Sequence, residues 1–394
     1  MQFPKKHVNS WLIFINGRIT FAVMRIGVNA RCLGNLQMGA GYWTYNLLQE
    51  LSKHHPEHTF ILFVDQPMHI SVNNNVKVEL IGKPVKNVLQ LNYWLNSKLR
   101  KAVQKKADIL VSLDGTGCTK ADFPQIIGLK DTKLRNGKSW FESWFKHRHF
   151  KKLSVKADKL FVVSTQVRQE LTDGFRLDEK NIEVISQSPV TLYQPIEWQQ
   201  KQHILEQYTD GKEFFLFTGG FDPSRNLLTT LKAFSWFKKW QQSNMKLVIA
   251  GNVENDSLNL KEKIDTFKFR DDVVVVGKLS PDQLHKMMAS AYVMLYPSKL
   301  PTFGMPVLEA MRCGTPIIAS SAIAPEVGGE AVMYVDADNE KDISNAMIKL
   351  YQDEDFRSRL IEKGLQHSNE FSWQKAAEKL WKLIEETVQL RKGS

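Results

Sequence analysis

Two short stretches hold the residue types that could grip a phosphorylated ligand. The first is Thr218-Gly219-Gly220-Phe221-Asp222-Pro223-Ser224-Arg225-Asn226, between an apolar run and a helical pattern. Its glycines admit close backbone approach and Asp222-Pro223 makes the turn. Arg225 falls near a helix start, where a cation opposes the helix dipole. A phosphate held between the helix terminus and the guanidinium resolves that conflict, and the alternative is a plain surface arginine in a βα turn. The second stretch is Pro297-Ser298-Lys299-Leu300-Pro301-Thr302-Phe303-Gly304-Met305-Pro306-Val307-Leu308-Glu309-Ala310. Pro306 suits the first helical position, so Phe303, Gly304 and Met305 are expected to present backbone N–H groups at a helix mouth, as a pyrophosphate needs. Glu309, expected on the first turn, could accept hydrogen bonds from vicinal hydroxyls such as a ribose diol, or simply favour the dipole.

The elements that must position these residues follow from periodicity. After a strand-like RIGVNA (25–30) and the loop Gly39-Ala40-Gly41, helical spacing sets Trp43, Leu47, Leu48 and Leu51 on one face. Buried strands are expected at 59–65, 107–113, 125–129 and 159–164, and again at 213–219, 246–251, 273–279, 292–298, 315–320 and 331–336. Runs apolar on both faces and separated by helices mean mostly parallel sheets. The rhythm lapses near Ser188–Gln202, a proline- and glutamine-bearing stretch read as a linker. The chain thus divides into an N-terminal domain (24–192), a linker (193–202) and a C-terminal domain (203–370), with a last helical stretch at 371–394. The expectation is α/β: two doubly wound domains facing a central cleft, with ligands beyond the carboxyl ends of the strands.

Composition narrows the function classes. The 394 residues suit two domains, and 43% hydrophobic with 24% charged residues excludes wholesale disorder. Three cysteines without a CxxC pair exclude a disulfide scaffold or a cysteine zinc site. No apolar run reaches the roughly 18–20 residues that span a bilayer. GxSxG, Walker A and HExxH patterns do not occur, so protease, kinase and P-loop readings have no support. His54, His55 and His58 beside Pro56 read as a solvated helix cap rather than a metal site. The first 23 residues differ from the rest, with a basic start and a broken apolar patch. Met24 looks like a natural start, and a short membrane-adhering leader is the competing reading.

The formal charge of +11 is unevenly placed. Residues 130–159 hold ten lysines and arginines against three acids, a surplus of seven. Trp140, Phe141, Trp144, Phe145 and Phe150 are woven among them, with Lys138, Lys146, Lys151 and Lys152. Three readings stand: a core-facing aromatic helix with a solvated basic face, an anionic membrane surface, or phosphate contact and base stacking on nucleic acid.

Residues 212–372 resemble the donor half of family 4 of the retaining glycosyltransferases, which have the GT-B fold of two Rossmann-like domains. The carriers are "GGFDPSRNLLTTLKAF", "LVIAG", "VVVVGKLSPDQL", "LYPSKLPTFGMPVLEAMRCGTPIIAS" and "APEVGGEA". "MRIGVNARCL" and "GAGYWTYNLL" agree more weakly, and "FSWQKAAEKLWKLIEETV" resembles the family's last helix, which crosses back onto the N-terminal domain. The resemblance implies that Arg225 holds the donor diphosphate and that the amides of Phe303, Gly304 and Met305 surround the β-phosphate and sugar. Gly219 and Gly220 form the phosphate loop, Lys278 and Leu279 line the nucleobase, and Gly39 to Gly41 close over the phosphates. Glu309 matches the ribose-binding second glutamate of the E-x7-E motif. The implied activity is sugar transfer from a UDP- or GDP-linked donor, with retention and without a metal or other cofactor. The acceptor is a glycan or a lipid-linked molecule in cell-surface polysaccharide or lipopolysaccharide synthesis. The implied location is cytoplasmic, peripheral to the inner face of the membrane, and no nucleic-acid partner is expected.

Three positions depart from the family pattern. Pro301 stands where the first glutamate of E-x7-E belongs and has no carboxylate for donor-sugar hydroxyls. Gly220 replaces a frequent arginine, and Lys130-Asp131 replaces a histidine-aspartate pair, leaving Lys130 as a candidate cation facing the donor. The alternative reading is therefore a catalytically impaired member that serves as a nucleotide-binding or scaffolding subunit.

Overall fold

The computed structural model describes residues 12–15, 18–21, 23–34, 39–130, 140–254 and 256–391. Two short strands, β1 (Leu12–Ile15) and β2 (Arg18–Phe21), pair antiparallel as a separate hairpin. The chain divides into two compact units, and the hairpin falls in the first.

The first unit comprises residues 1–163, 167–186 and 373–394. Its strands are β3 (Arg25–Asn29), β4 (Thr59–Val64), β5 (Val76–Leu80), β6 (Ile109–Ser112), β7 (Gln125–Leu129), β8 (Lys159–Val162) and β9 (Ile182–Val184). Between them run α1 (Gly39–His54), α2 (Val88–Tyr93), a π-helical turn (Trp94–Leu99), α3 (Arg100–Lys106), α4 (Trp140–Lys156) and α5 (Thr165–Phe175). These seven strands form one sheet in the order β5-β4-β3-β6-β7-β8-β9, with every pair parallel. The four apolar residues expected on one face of α1, Trp43, Leu47, Leu48 and Leu51, are all buried. The edge strands β5 and β9 escaped the periodicity reading because they are short and partly polar: Val76–Leu80 buries only its first residue.

The second unit comprises residues 164–166 and 187–372. It runs α6 (Trp198–Thr209), β10 (Phe214–Thr218), α7 (Leu227–Gln241), β11 (Lys246–Ala250), α8 (Leu260–Asp265), β12 (Val273–Gly277), α9 (Pro281–Ser290) and β13 (Val293–Tyr296). Then follow α10 (Met305–Arg312), β14 (Ile317–Ser320), α11 (Pro325–Gly328), β15 (Val332–Val335), α12 (Glu340–Gln352) and α13 (Glu354–Ser368). The parallel sheet has the order β12-β11-β10-β13-β14-β15, a doubly wound Rossmann arrangement. Both faces are covered. Along β10, Phe214 and Leu216 join one core while Phe215 and Phe217 join the other, as strand alternation requires.

Two boundaries move. The first unit ends at Ser186, not at 192, and Trp198–Gln202 belong to α6 rather than to a linker. The Gln200 side chain accepts the Glu197 backbone N–H at 3.3 Å and starts the helix inside the glutamine-rich run. The last helix, α14 (Trp373–Leu390), completes the first unit by packing on α1. Leu380, Trp381, Ile384 and Val388 are buried there, and Tyr42 meets Trp373 edge-on at 5.8 Å.

Of the three histidines, His54 is exposed at the end of α1 as a solvated cap would be, but the other two are not. His58 is buried, and His55 stacks on Trp381 of α14 with ring centroids 3.7 Å apart. His55, Glu57 and His58 place ligand atoms within 4.8 Å of one another. However, His58 Nδ1 accepts the Met24 backbone N–H at 2.9 Å, which leaves the ring proton on Nε2, 3.2 Å from Glu57 Oε1. A metal ion at Nε2 has to displace that proton, so the cluster serves packing.

Candidate functional site

In a doubly wound sheet the crevice opens where strand order reverses, here between β10 and β13. A cavity of about 260 Å³ lies there. Thr218, Gly219 and Arg225 come from the end of β10 and its loop, and Tyr296 from the end of β13. Ala250 and Gly251 leave β11, Lys278 and Leu279 leave β12, and Leu284 and Pro306 close it from α9 and α10.

The glycines are required by backbone approach. Gly219 has φ 128°, and a Cβ there would stand 2.5 Å from Arg225 Cγ, so its bareness lets the arginine lie across the loop. Gly220, at φ 59°, packs its backbone on that of Asn252, and any side chain at 220 would run into it. The arginine that the family resemblance leads one to expect at 220 therefore has no room here. The two turns are laced together: Gly219 and Gly220 both donate to Ala250 O at 2.9 Å.

Arg225 closes a short 3₁₀ turn whose start is capped by Asp222, the carboxylate accepting the Ser224 N–H at 2.9 Å. Its guanidinium donates to the Tyr296 hydroxyl and lies over the Tyr296 ring, 5.2 Å from the centroid. Among the described residues, no carboxylate forms an ion pair with Arg225. Tyr296 is 2% exposed, and burial pushes its phenol above the ordinary value although Arg225 and Thr302 pull the other way. The phenol is thus a neutral, fixed partner for the cation. The sequence reading missed Tyr296 because a tyrosine ending a buried strand looks like core.

The second stretch follows β13. Thr302 bridges to Ile323, with Thr302 N donating to Ala322 O at 2.9 Å and Ala324 N to Thr302 O at 3.0 Å. Gly304, at φ 88°, is the N-cap of α10, and no side chain caps the helix. Met305 is therefore its first residue and Pro306 its second, so Glu309 falls on the second turn rather than the first. Glu309 is half-buried and close enough to add to the upward push on Tyr296, but it does not line the cavity. Pro301 is exposed.

The fold thus brings Gly219, Arg225, Lys278 and Leu279 together around one cavity, whereas Gly220 packs on Asn252 and Phe303, Gly304 and Met305 only lead up to Pro306, the α10 residue that lines it. Gly39, Gly41 and Lys130 belong to the other unit: Gly39 begins α1, Gly41 is buried in its first turn, and Lys130 follows β7 half-buried. Asp131 and Lys138 lie outside the described residues. Trp140, Trp144 and Lys146 are in α4, where only the backbone is described, while Lys151 and Lys152 are exposed. Phe150 is a correction to the membrane reading: it is buried with Ile127, Leu129 and Leu153.

The first unit has its own switch point between β3 and β6. Asn29 is fully buried and donates to Thr116 Oγ1 at 3.0 Å, and the Thr116 hydroxyl donates to Asp114 at 2.6 Å. Desolvation holds the Asp114 carboxyl above its usual range against the pull of Thr116 and Arg31. Nothing local in the sequence signalled this network.

Comparison with known proteins now places the chain. The model described as "Glycosyl transferases group 1" matches residues 199–367 and that described as "Glycosyltransferase Family 4" matches 38–187. The chain belongs to the family 4 glycosyltransferases, with the GT-B fold. It is 26% identical over 162 residues to O-antigen chain mannosyltransferase B of Escherichia coli, covering 41% of this chain and 42% of that protein. It is 28% identical over 214 residues to O-antigen chain mannosyltransferase RfbU of Salmonella typhimurium, covering 54% and 56%. The chain thus spans about half the length of these curated relatives. The crystal structure of Anabaena HepE in complex with UDP is similar in fold, with a TM-score of 0.71 at 14% identity over 92% of this chain and 100% of that one.

Proposed function

We propose that the chain transfers a hexose, with retention and without a metal, from a nucleotide-sugar donor to a glycan or lipid-linked acceptor in cell-surface polysaccharide synthesis. The observation that carries this reading is the β10/β13 cavity. It has a bare glycine wall, a cation held by a phenol instead of a carboxylate, and an uncapped helix start beside it. Such a set suits a diphosphate. The E. coli and Salmonella relatives are mannosyltransferases, which supports GDP-mannose as the first donor to try, while the HepE complex supports testing UDP donors as well. Their names also favour an active transferase over the scaffolding alternative that Pro301 raised.

In this mechanism the diphosphate lies against Gly219 and Gly251, and Arg225 neutralises the charge that grows as the glycosidic bond breaks. The departing phosphate accepts the acceptor's proton. The exposed cations Lys151 and Lys152 of α4 adhere to an anionic membrane surface on the cytoplasmic side. Among the described residues no helix is long and apolar enough to cross a membrane.

Calorimetric titration with UDP, GDP, GDP-mannose, UDP-glucose and UDP-N-acetylglucosamine tests the donor assignment. One nucleotide should bind, and Arg225→Ala should weaken it about 10- to 100-fold, the scale of lost charge-assisted hydrogen bonds. Equal affinity of wild type and variant, or no binding to any of the five, overturns the assignment.

A further inference from the structure

The first unit holds a cavity of about 420 Å³ that the donor reading leaves unused. It lies between α2 with its π-helical turn, the loop after β6, and α4. Its volume is that of a small-ligand pocket. Lys120, Arg148 and Lys152 line it, and among the described residues no carboxylate does. Such a lining is complementary to an anion.

The cavity is built rather than left over. The Trp94–Leu99 turn is widened into a π-helix, a feature that recurs at functional sites. It is anchored by the Trp94 indole N–H, which donates to Ile81 O at 2.7 Å. Asn96 on that turn fixes the opposite wall. Its amide donates to Asn92 O at 3.1 Å, and its oxygen accepts the Thr119 hydroxyl at 3.0 Å and the Lys120 backbone N–H at 3.2 Å. Lys120 is therefore presented from a pinned backbone. Leu89 and Tyr93, 62% and 61% exposed, add an apolar rim.

We propose that this cavity between α2 and α4 binds a phosphate ester, with the phosphate among Lys120, Arg148 and Lys152 and the ester's apolar part against Leu89 and Tyr93. The same chemistry is offered by a phospholipid headgroup and by a soluble phosphate ester. In the lipid case the proposal rests on the membrane reading of α4 and gives that surface a specific pocket.

The test uses the full-length chain and two probes: sn-glycerol 1-phosphate by calorimetry, and phosphatidylglycerol/phosphatidylcholine vesicles by co-sedimentation against pure phosphatidylcholine. The variants are Lys120→Gln and Lys152→Gln, both at exposed positions, with Lys156→Gln as a control of equal charge on the same helix but outside the cavity. Binding of at least one probe, weakened about three- to tenfold by the first two variants and left unchanged by the control, is the expected result. Ser97→Phe, which fills the cavity without altering charge, should weaken it likewise. Response of glycerol phosphate identifies a soluble ester; response of anionic vesicles alone identifies a lipid headgroup. If all three lysine variants weaken vesicle binding equally, the membrane reading stands and the cavity proposal falls. If glycerol phosphate binds in the cavity while vesicles do not bind, the cavity stands and the membrane reading falls. No binding of either probe overturns the cavity proposal outright.

Discussion

Arg225 and Tyr296 show how a residue acquires a role from its neighbours. The guanidinium is held by one neutral hydroxyl and one aromatic face, both inside the cavity wall. Tyr296→Phe keeps the ring and removes the hydroxyl. We expect the KM for the donor to rise and kcat/KM to fall about three- to tenfold, with little change in thermal stability, since one hydrogen bond is lost in place. A large drop in melting temperature without a donor effect would assign the hydroxyl to packing alone. Gly220 belongs to the same scale. Gly220→Ala combines a positive φ with a Cβ inside the Asn252 backbone, so it should cost about 2 kcal/mol or more of stability in the second unit, read by denaturant unfolding. Both residues stand in quotable motifs, yet Arg225 and Tyr296 are 71 positions apart and meet only because β10 and β13 lie side by side.

Helix α14 and the turn after α1 make the clearest element-scale case. The His55 and His58 rings lie 3.7 and 4.8 Å from Trp381. Burial lowers the His55 pKa, opposed by Glu57 and reinforced by His58 and His54. Burial lowers that of His58 too, again opposed by Glu57. Since the folded values lie below the unfolded one, the neutral rings contribute stability that is present above about pH 6.5 and is lost as pH falls through the folded values. Amide exchange of α14 should therefore quicken below about pH 6. His58→Gln should flatten that pH dependence, and an α14 equally protected at pH 5 and pH 7.5 would refute the linkage. The periodicity of 371–388 announced this helix; the histidine pair under it was legible only as three nearby histidines, because its partner Trp381 lies more than 320 residues along the chain.

For the whole molecule, the order of units along the chain matters. The second unit ends at Ser372, and the first is finished by residues 373–394. A chain ending at Ser372 loses the buried Leu380, Trp381, Ile384 and Val388 and bares the facing side of α1. At roughly 1.5–3 kcal/mol for each fully buried large side chain, that exceeds what a marginally stable domain can lose. The expected outcome is unfolding or aggregation of the first unit, with nucleotide binding by the second retained. Unchanged thermal unfolding of the truncated chain contradicts this.

The sequence by itself determined the class of fold, the central strands and the glycine-bearing turns. Strands buried on both faces must be apolar throughout, and tight turns demand glycine and proline, so both leave local marks. The family motifs around Arg225 and Phe303–Glu309 were legible for the same reason. Only the tertiary structure decided the rest. It placed Trp198–Gln202 in a helix, moved Glu309 to the second turn of α10 and turned Phe150 into the core. It also gave Tyr296 to Arg225 and set Lys120 opposite Lys152 across a cavity. Those outcomes depend on which distant segments become neighbours, and edge strands such as Val76–Leu80, half polar, carry too weak a pattern to announce it.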